Sequence, residues 1–215
     1  MHVMPTIIGI TFATLLSLII VKISKGNNKI FAILCWLVIA SAAIDRYMRN
    51  PSYPIWIPFH LCDLALIISG FALYFNNKKA YKLILFLLWG SIFAILFPQP
   101  SILKSPLFSY TRLVFYLDHA LVIATAIILT KQNNWWIEKG DWKFAFTYVF
   151  ITGAIMMYIV NPILGTNFYF VSGKLDIPIF NLFLPWPYYP YEFAILAIII
   201  FILYEKILLK IKSGE

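Results

Sequence analysis

The stretch "PIWIPFHLCDLALIISG", Pro54 to Gly70, sets His60, Cys62 and Asp63 at the front of an apolar run. A thiol next to imidazole and carboxylate can do acyl chemistry: the thiolate attacks a carbonyl and an imidazole carries the proton. With Pro58 read as the first helical position, Cys62 falls in a first turn, where free backbone N–H groups and the helix dipole favour thiolate. On a regular helix His60 points about 200° away from Cys62, whereas His60 and Asp63 are one turn apart on a shared face and read as an orienting pair. The base expected for Cys62 is His119, from "FYLDHALVI", with Asp118 and Arg112 as its neighbours. Cys62 lies about 6 Å past Pro58 and His119 about 10 Å past Arg112 on ideal helices, so adjacent helices can bring the two level.

Each of these residues also has a plainer meaning. A free cysteine in a helix is usually a small buried hydrophobe, a membrane histidine is usually hydrogen-bonded between helices, and Asp118 with Arg112 could form a structural ion pair. His60, Cys62, Asp63 and His119 together are four zinc-ligand types, but H-x-C-D at a helix start is not a usual ligand spacing, so neither metal nor cofactor is expected. Cys35 lies about 9 Å in from the opposite end of its segment, too far from Cys62 for the roughly 7 Å a disulfide allows. No P-loop, dinucleotide-binding turn, GxSxG elbow or HExxH occurs in the chain.

The elements that must hold these groups are membrane helices. Of 215 residues, 62% are hydrophobic, 18% aromatic and 12% charged, and the mean hydropathy is +0.85, outside the range of ordinary soluble domains. About seven stretches match the roughly 30 Å hydrocarbon thickness: Met4–Ile23, Ile30–Met48, Phe59–Phe75, Ala80–Phe97, Leu113–Leu129, Phe144–Val160 and Tyr191–Leu209. The expectation is an all-α, polytopic bundle forming a single transmembrane domain over residues 1–215. The first stretch reads as a span and not as a secretion signal, because Met1–Thr6 carries no Lys or Arg and no convincing cleavage site follows Ile20.

Twelve of the 17 basic residues fall on one side: Lys22, Lys25, Lys29, Lys78, Lys79, Lys82, Lys131, Lys139, Lys143, Lys206, Lys210 and Lys212. The other side has Arg46, Arg49, Lys104, Arg112 and Lys174. The positive-inside rule then puts the N-terminus outside and the C-terminus in the cytoplasm. The net charge of +8 faces the anionic leaflet, so it calls for no nucleic acid partner.

Ionisable groups within membrane segments face protein or water by default. Asp45, Arg46, His60, Asp63, Arg112, Asp118, His119 and Glu192 all fall in the outer half under this topology, which suggests a site open to that side, where Arg46 and Glu192 can meet substrate. The outer connections "NPSYPIWIP", "PQPSILKSPLFSYTR" and "NPILGTNFYFVSGKLDIPIFNLFLPWPYYP" are proline- and aromatic-rich, suited to an interfacial girdle or to roofing a pocket. With no internal repeat and no polar path into the cytoplasmic half, a transporter is the weaker reading.

Four motifs in order, "PFHLCDLALI" from Pro58, the histidine in "FYLDHALVI", "NPILGTNFYFV" from Asn161 and "PWPYYPYE" from Pro185, make the chain resemble the YwaF-like bacterial integral membrane family. That family is related to the animal transmembrane protein 164 acyltransferase family. The resemblance implies six or seven helices in a bacterial plasma membrane and cysteine-dependent transfer of fatty acyl chains between phospholipids. It also implies Cys62 as the acyl-accepting nucleophile, His119 as its base, and Asn161 and Asn167 as carbonyl or headgroup donors. The expected partner is a membrane phospholipid or lysophospholipid. A fatty-ester hydrolase would use the same residues, and a non-catalytic lipid- or small-molecule-binding membrane protein is the alternative from another class.

Overall fold

A computed structural model describes residues 3–23, 26–106, 108–174 and 181–213, with side chains from residue 9 onward except 100 and 213. Sequence readings that touch residues 1, 2, 24, 25, 107 and 175–180, Lys25 and part of the last outer connection among them, lie outside the described residues. Regular structure in the described residues is helical, with no strand. The chain sorts into two compact units, Met1–Trp135 and Trp136–Glu215.

The first unit contains α1 (Val3–Ile23), α2 (Asn28–Arg49), α3 (Leu61–Phe75), α4 (Lys78–Leu96), the short α5 (Pro100–Lys104) and α6 (Tyr110–Asn133). At its centre is α6, which packs against α1, α2, α3 and α4. Its buried residues include Ala120, Ala124 and Ala126, small side chains that let neighbouring membrane helices approach. Two glycines do the same for other pairs: a Cβ at Gly9 would overlap the Tyr116 phenol of α6, and one at Gly70 would overlap the Trp36 indole of α2.

Helix ends follow local chemistry. The Asn77 side chain accepts the Ala80 N–H (3.0 Å) at the start of α4, and Ser109 Oγ accepts the Arg112 N–H (3.4 Å) at the start of α6. Asn76 and Asn134 adopt left-handed conformations (φ 49° and 52°) where α3 and α6 stop. Capping carries α6 well past the apolar run Leu113–Leu129. The expectation that Pro58 opens α3 is corrected: the first helical residue is Leu61, after an extended His60 whose backbone N–H donates to Asp63 Oδ2 (3.2 Å). Proline instead opens the 3₁₀ turn Pro54–Trp56 just upstream.

The second unit has α7 (Asp141–Ile155), a π-helical turn (Met156–Val160), α8 (Asn161–Leu164) and α9 (Tyr189–Ser213). Pro162 has no N–H and crowds the preceding turn, and a π turn ahead of it relieves that conflict.

Among the described residues, five stretches are long and apolar enough to cross a membrane: Asn28–Arg49, Pro54–Phe75, Lys78–Leu96, Tyr110–Asn133 and Asp141–Leu164. α1 contributes the shorter apolar helix Gly9–Ile23 within the residues whose side chains are described. In α9 the uncharged run extends only from Phe193 to Tyr204, between Glu192 and Glu205. The protein is multi-pass and all-helical.

Candidate functional site

Packing of α3 on α6 brings three reactive groups together. Cys62 Sγ, a carboxylate oxygen of Asp118 and a ring nitrogen of His119 all lie within 4.8 Å of one another. Cys62 is the second residue of α3, whereas His119 is nine residues, about 13 Å, into α6. The start of α3 is therefore level with the third turn of α6. Cys62 is half-buried, and Asp118 and His119 are buried.

The hydrogen bonds of His119 assign its tautomer. Nδ1 lies 2.7 Å from the Phe115 carbonyl oxygen, one helical turn earlier. A carbonyl only accepts, so Nδ1 carries the proton and neutral His119 keeps its lone pair on Nε2. Nε2 is buried and has no hydrogen-bond partner. The Phe115 ring, with its centroid 4.4 Å from that of the imidazole, restrains the plane. Asp118 Oδ2 is 3.9 Å from Nδ1, beyond hydrogen-bond range, and Asp118 Oδ1 is likewise buried without a partner. Two buried acceptor atoms left without a partner, in two residues that both approach a thiol, are unusual enough in a folded protein to ask for a role.

The rest of the polar set is arranged differently from the sequence expectation. Asp63 pairs with His60 in a capping box, accepting the His60 backbone N–H (3.2 Å), and it has a second partner. Its carboxylate takes a bidentate pair from Arg46, Nη1 to Oδ2 and Nη2 to Oδ1, each 2.8 Å, while Arg46 Nε donates to the Ala42 carbonyl (3.2 Å). Arg46, expected at the substrate, is thereby engaged in tying the end of α2 to the start of α3. His60 is buried at the N-cap and stands outside the Cys62–Asp118–His119 cluster. Arg112 makes no pair with Asp118. Its Nε and Nη2 donate to the Ile102 carbonyl (3.1 and 2.9 Å) and Nη2 also to that of Leu103 (2.6 Å), closing the C-terminal end of α5.

This chain belongs to the TMEM164 family. The model of that family matches residues 1–204, and the match takes in every residue of the cluster. A protein of Treponema pallidum (strain Nichols), described as uncharacterized, is 30% identical over 187 residues, 85% of this chain and 74% of that protein. No solved structure matches the chain.

In this TMEM164-family chain the remaining candidates lie in the second unit. Asn161 Oδ1 accepts from the Phe168 N–H (2.8 Å) and Thr166 Oγ1 (3.0 Å), and its Nδ2 donates to the Phe168 carbonyl (3.1 Å) and Ser172 Oγ (2.9 Å). Both amide hydrogens are thus used, which corrects the expectation of a free donor: Asn161 clamps the loop that follows it. Asn167 does similar work, accepting from the Ser172 and Gly173 N–H groups (2.9 and 3.0 Å) and donating to the Gly173 carbonyl (2.6 Å). Glu192 accepts the Leu184 N–H (2.7 Å).

Sequence reasoning missed two features. One is the Phe115 carbonyl, which has no side-chain signature. The other is the central position of Asp118, which was expected only beside the site. The three-atom cluster is also a candidate metal set: a catalytic zinc needs three such ligands, but with bonds of about 2.0–2.3 Å the ligand atoms must close to roughly 3.5 Å apart.

Proposed function

We propose that the chain is a membrane-embedded phospholipid acyltransferase or transacylase that works through a thioester on Cys62. It would form one membrane domain of seven spans in a bacterial plasma membrane, N-terminus outside and C-terminus cytoplasmic, with its pocket open to the outer half. The observation that carries the reading is the approach of Cys62 Sγ to His119, whose Nε2 has a free lone pair.

In the first half-reaction Nε2 takes the thiol proton and the sulfur attacks the ester carbonyl of a phospholipid. The carbon–oxygen bond to glycerol breaks, the leaving oxygen takes the proton from His119, and a lysophospholipid departs. In the second, the hydroxyl of an acceptor lysophospholipid gives its proton to Nε2 and attacks the thioester. The carbon–sulfur bond then breaks, and the thiol recovers its proton. Water in place of the acceptor gives free fatty acid. N–H groups of the first turn of α3 lie next to Cys62 in the chain and suit the oxyanion.

The test is incubation of purified protein with phospholipid in neutral micelles, followed by peptide mass spectrometry. A hydroxylamine-labile acyl adduct on Cys62 and loss of turnover in Cys62→Ala are expected. Full lipid turnover by Cys62→Ala would overturn the reading, and the ratio of transferred to hydrolysed acyl chain separates transferase from hydrolase.

A further inference from the structure

Away from the thiol cluster, the second unit contains a cavity of about 540 Å³ between the start of α7 and the last turns of α9. Lys139, Lys143 and Lys206 line it together with Trp142, Ile202 and Glu205. The volume is that of a small-ligand cleft. All three lysines are exposed, and none of them forms an ion pair with an acid among the described residues.

The one carboxylate in the lining is already committed. Glu205 is buried, and its Oε1 accepts the N–H groups of Gly140 (2.9 Å) and Trp142 (3.1 Å). Gly140 has φ 97°, a left-handed conformation that favours glycine and sets up this turn. Glu205 Oε1 is therefore satisfied by the backbone, and the three ammonium groups are left without an ion-pair partner among the described residues. Three lysines against one carboxylate leave a net charge of +2 on the lining. The Trp142 indole and Ile202 supply an apolar wall beside that charge, and tryptophan is characteristic of the headgroup level of a bilayer.

We propose that this cavity binds the phosphate headgroup of an acidic phospholipid, at a site separate from the thiol cluster. Positive charge gathered at one cavity differs from lysines scattered along a membrane face, which only share the general attraction of the leaflet. Lys206 and Glu205 lie past residue 204, beyond the reach of the family match. The apolar wall favours a lipid over a soluble phosphate, because the glycerol and the first methylenes of the chains have a surface to lie against.

The experiment uses the whole protein in phosphatidylcholine nanodiscs titrated with trace phosphatidylglycerol, with protein-bound lipid counted by native mass spectrometry. Replacing Lys139, Lys143 and Lys206 together by Gln is expected to weaken binding about 100-fold, at about fivefold per lysine. Arg at the same positions restores it. A control triple, Lys22→Gln, Lys79→Gln and Lys131→Gln, removes the same charge from exposed positions outside the cavity lining and should change binding less than about threefold. Equal losses in the two triples overturn the site in favour of general leaflet attraction. Displacement of the lipid by equimolar glycerol phosphate overturns the lipid assignment in favour of a soluble phosphate. Should the triple variant fail to fold, Lys206→Gln alone must still show the fivefold loss, and unchanged binding there overturns the proposal.

Discussion

Breaking the Arg46–Asp63 pair should loosen the mouth of the site in a way that only the second partner's removal can repair. The Asp63 side chain is 3% exposed and that of Arg46 14%. In Arg46→Met the carboxylate stays buried with only the His60 N–H at 3.2 Å. Removing one partner of a buried pair costs about 3–5 kcal/mol. The partial exposure of Arg46 places this case at the low end, near 3 kcal/mol. Asp63→Asn keeps an oxygen to accept the His60 N–H but loses the charge, leaving Arg46 the Ala42 carbonyl, for about 2 kcal/mol. If the pair is the common cause, Arg46→Met with Asp63→Asn together should also cost about 2 kcal/mol, not 5, a coupling of about 3 kcal/mol. Equilibrium unfolding in mixed micelles of rising dodecyl sulfate content, followed by circular dichroism, measures all four proteins. Alkylation of Cys62 by maleimide should quicken in Arg46→Met and return toward the starting rate in the double variant. Single-variant costs that add to within about 0.5 kcal/mol would refute the reasoning, since independent sites behave that way.

Glycine substitutions should divide by the space around them. Gly9→Ala and Gly70→Ala meet Tyr116 and Trp36 and should each cost about 1–3 kcal/mol, while Gly90→Ala, with nothing within 4 Å of the new Cβ, should stabilise α4 by about 0.5–1 kcal/mol; the same unfolding assay ranks them. Asn161→Ala removes four hydrogen bonds from the loop after α8 and should leave the segment 165–173 more open to limited proteolysis, with a stability loss of about 2–4 kcal/mol. Acyl transfer should survive prolonged chelation with EDTA; loss of activity that zinc restores would reassign the Cys62–Asp118–His119 cluster to metal binding.

The membrane character and helical class were legible from composition, because a lipid environment admits few other backbones. Cys62 and His119 could be paired from sequence because polar groups in an apolar helix must face something. The partner of each charge was not legible. Arg112 turned to the C-terminal end of α5, a helix of five residues inside what reads as a loop, and Arg46 found Asp63 because α2 and α3 pack side by side. Local spacing gives that carboxylate His60 alone. Pro58 misled for a similar reason: proline suits a first helical turn, but Asp63 three residues after His60 fixed the start later. Asn161 and Asn167 share a motif with the resembled family, and a motif gives no hint whether an amide faces a ligand or its own loop.

The bond from His119 Nδ1 to the Phe115 carbonyl places half of the proposed base's machinery in the main chain. Almost any side chain at position 115 leaves that acceptor where it is, so a substitution there removes the ring contact with the imidazole but not the acceptor that sets its tautomer. The vulnerability lies instead in helix continuity. A single-residue deletion in the turn after 119 keeps a carbonyl one turn before the histidine but rotates the ring by about 100° against the rest of α6, away from Cys62. Damage of that kind would silence the site with every reacting side chain still present.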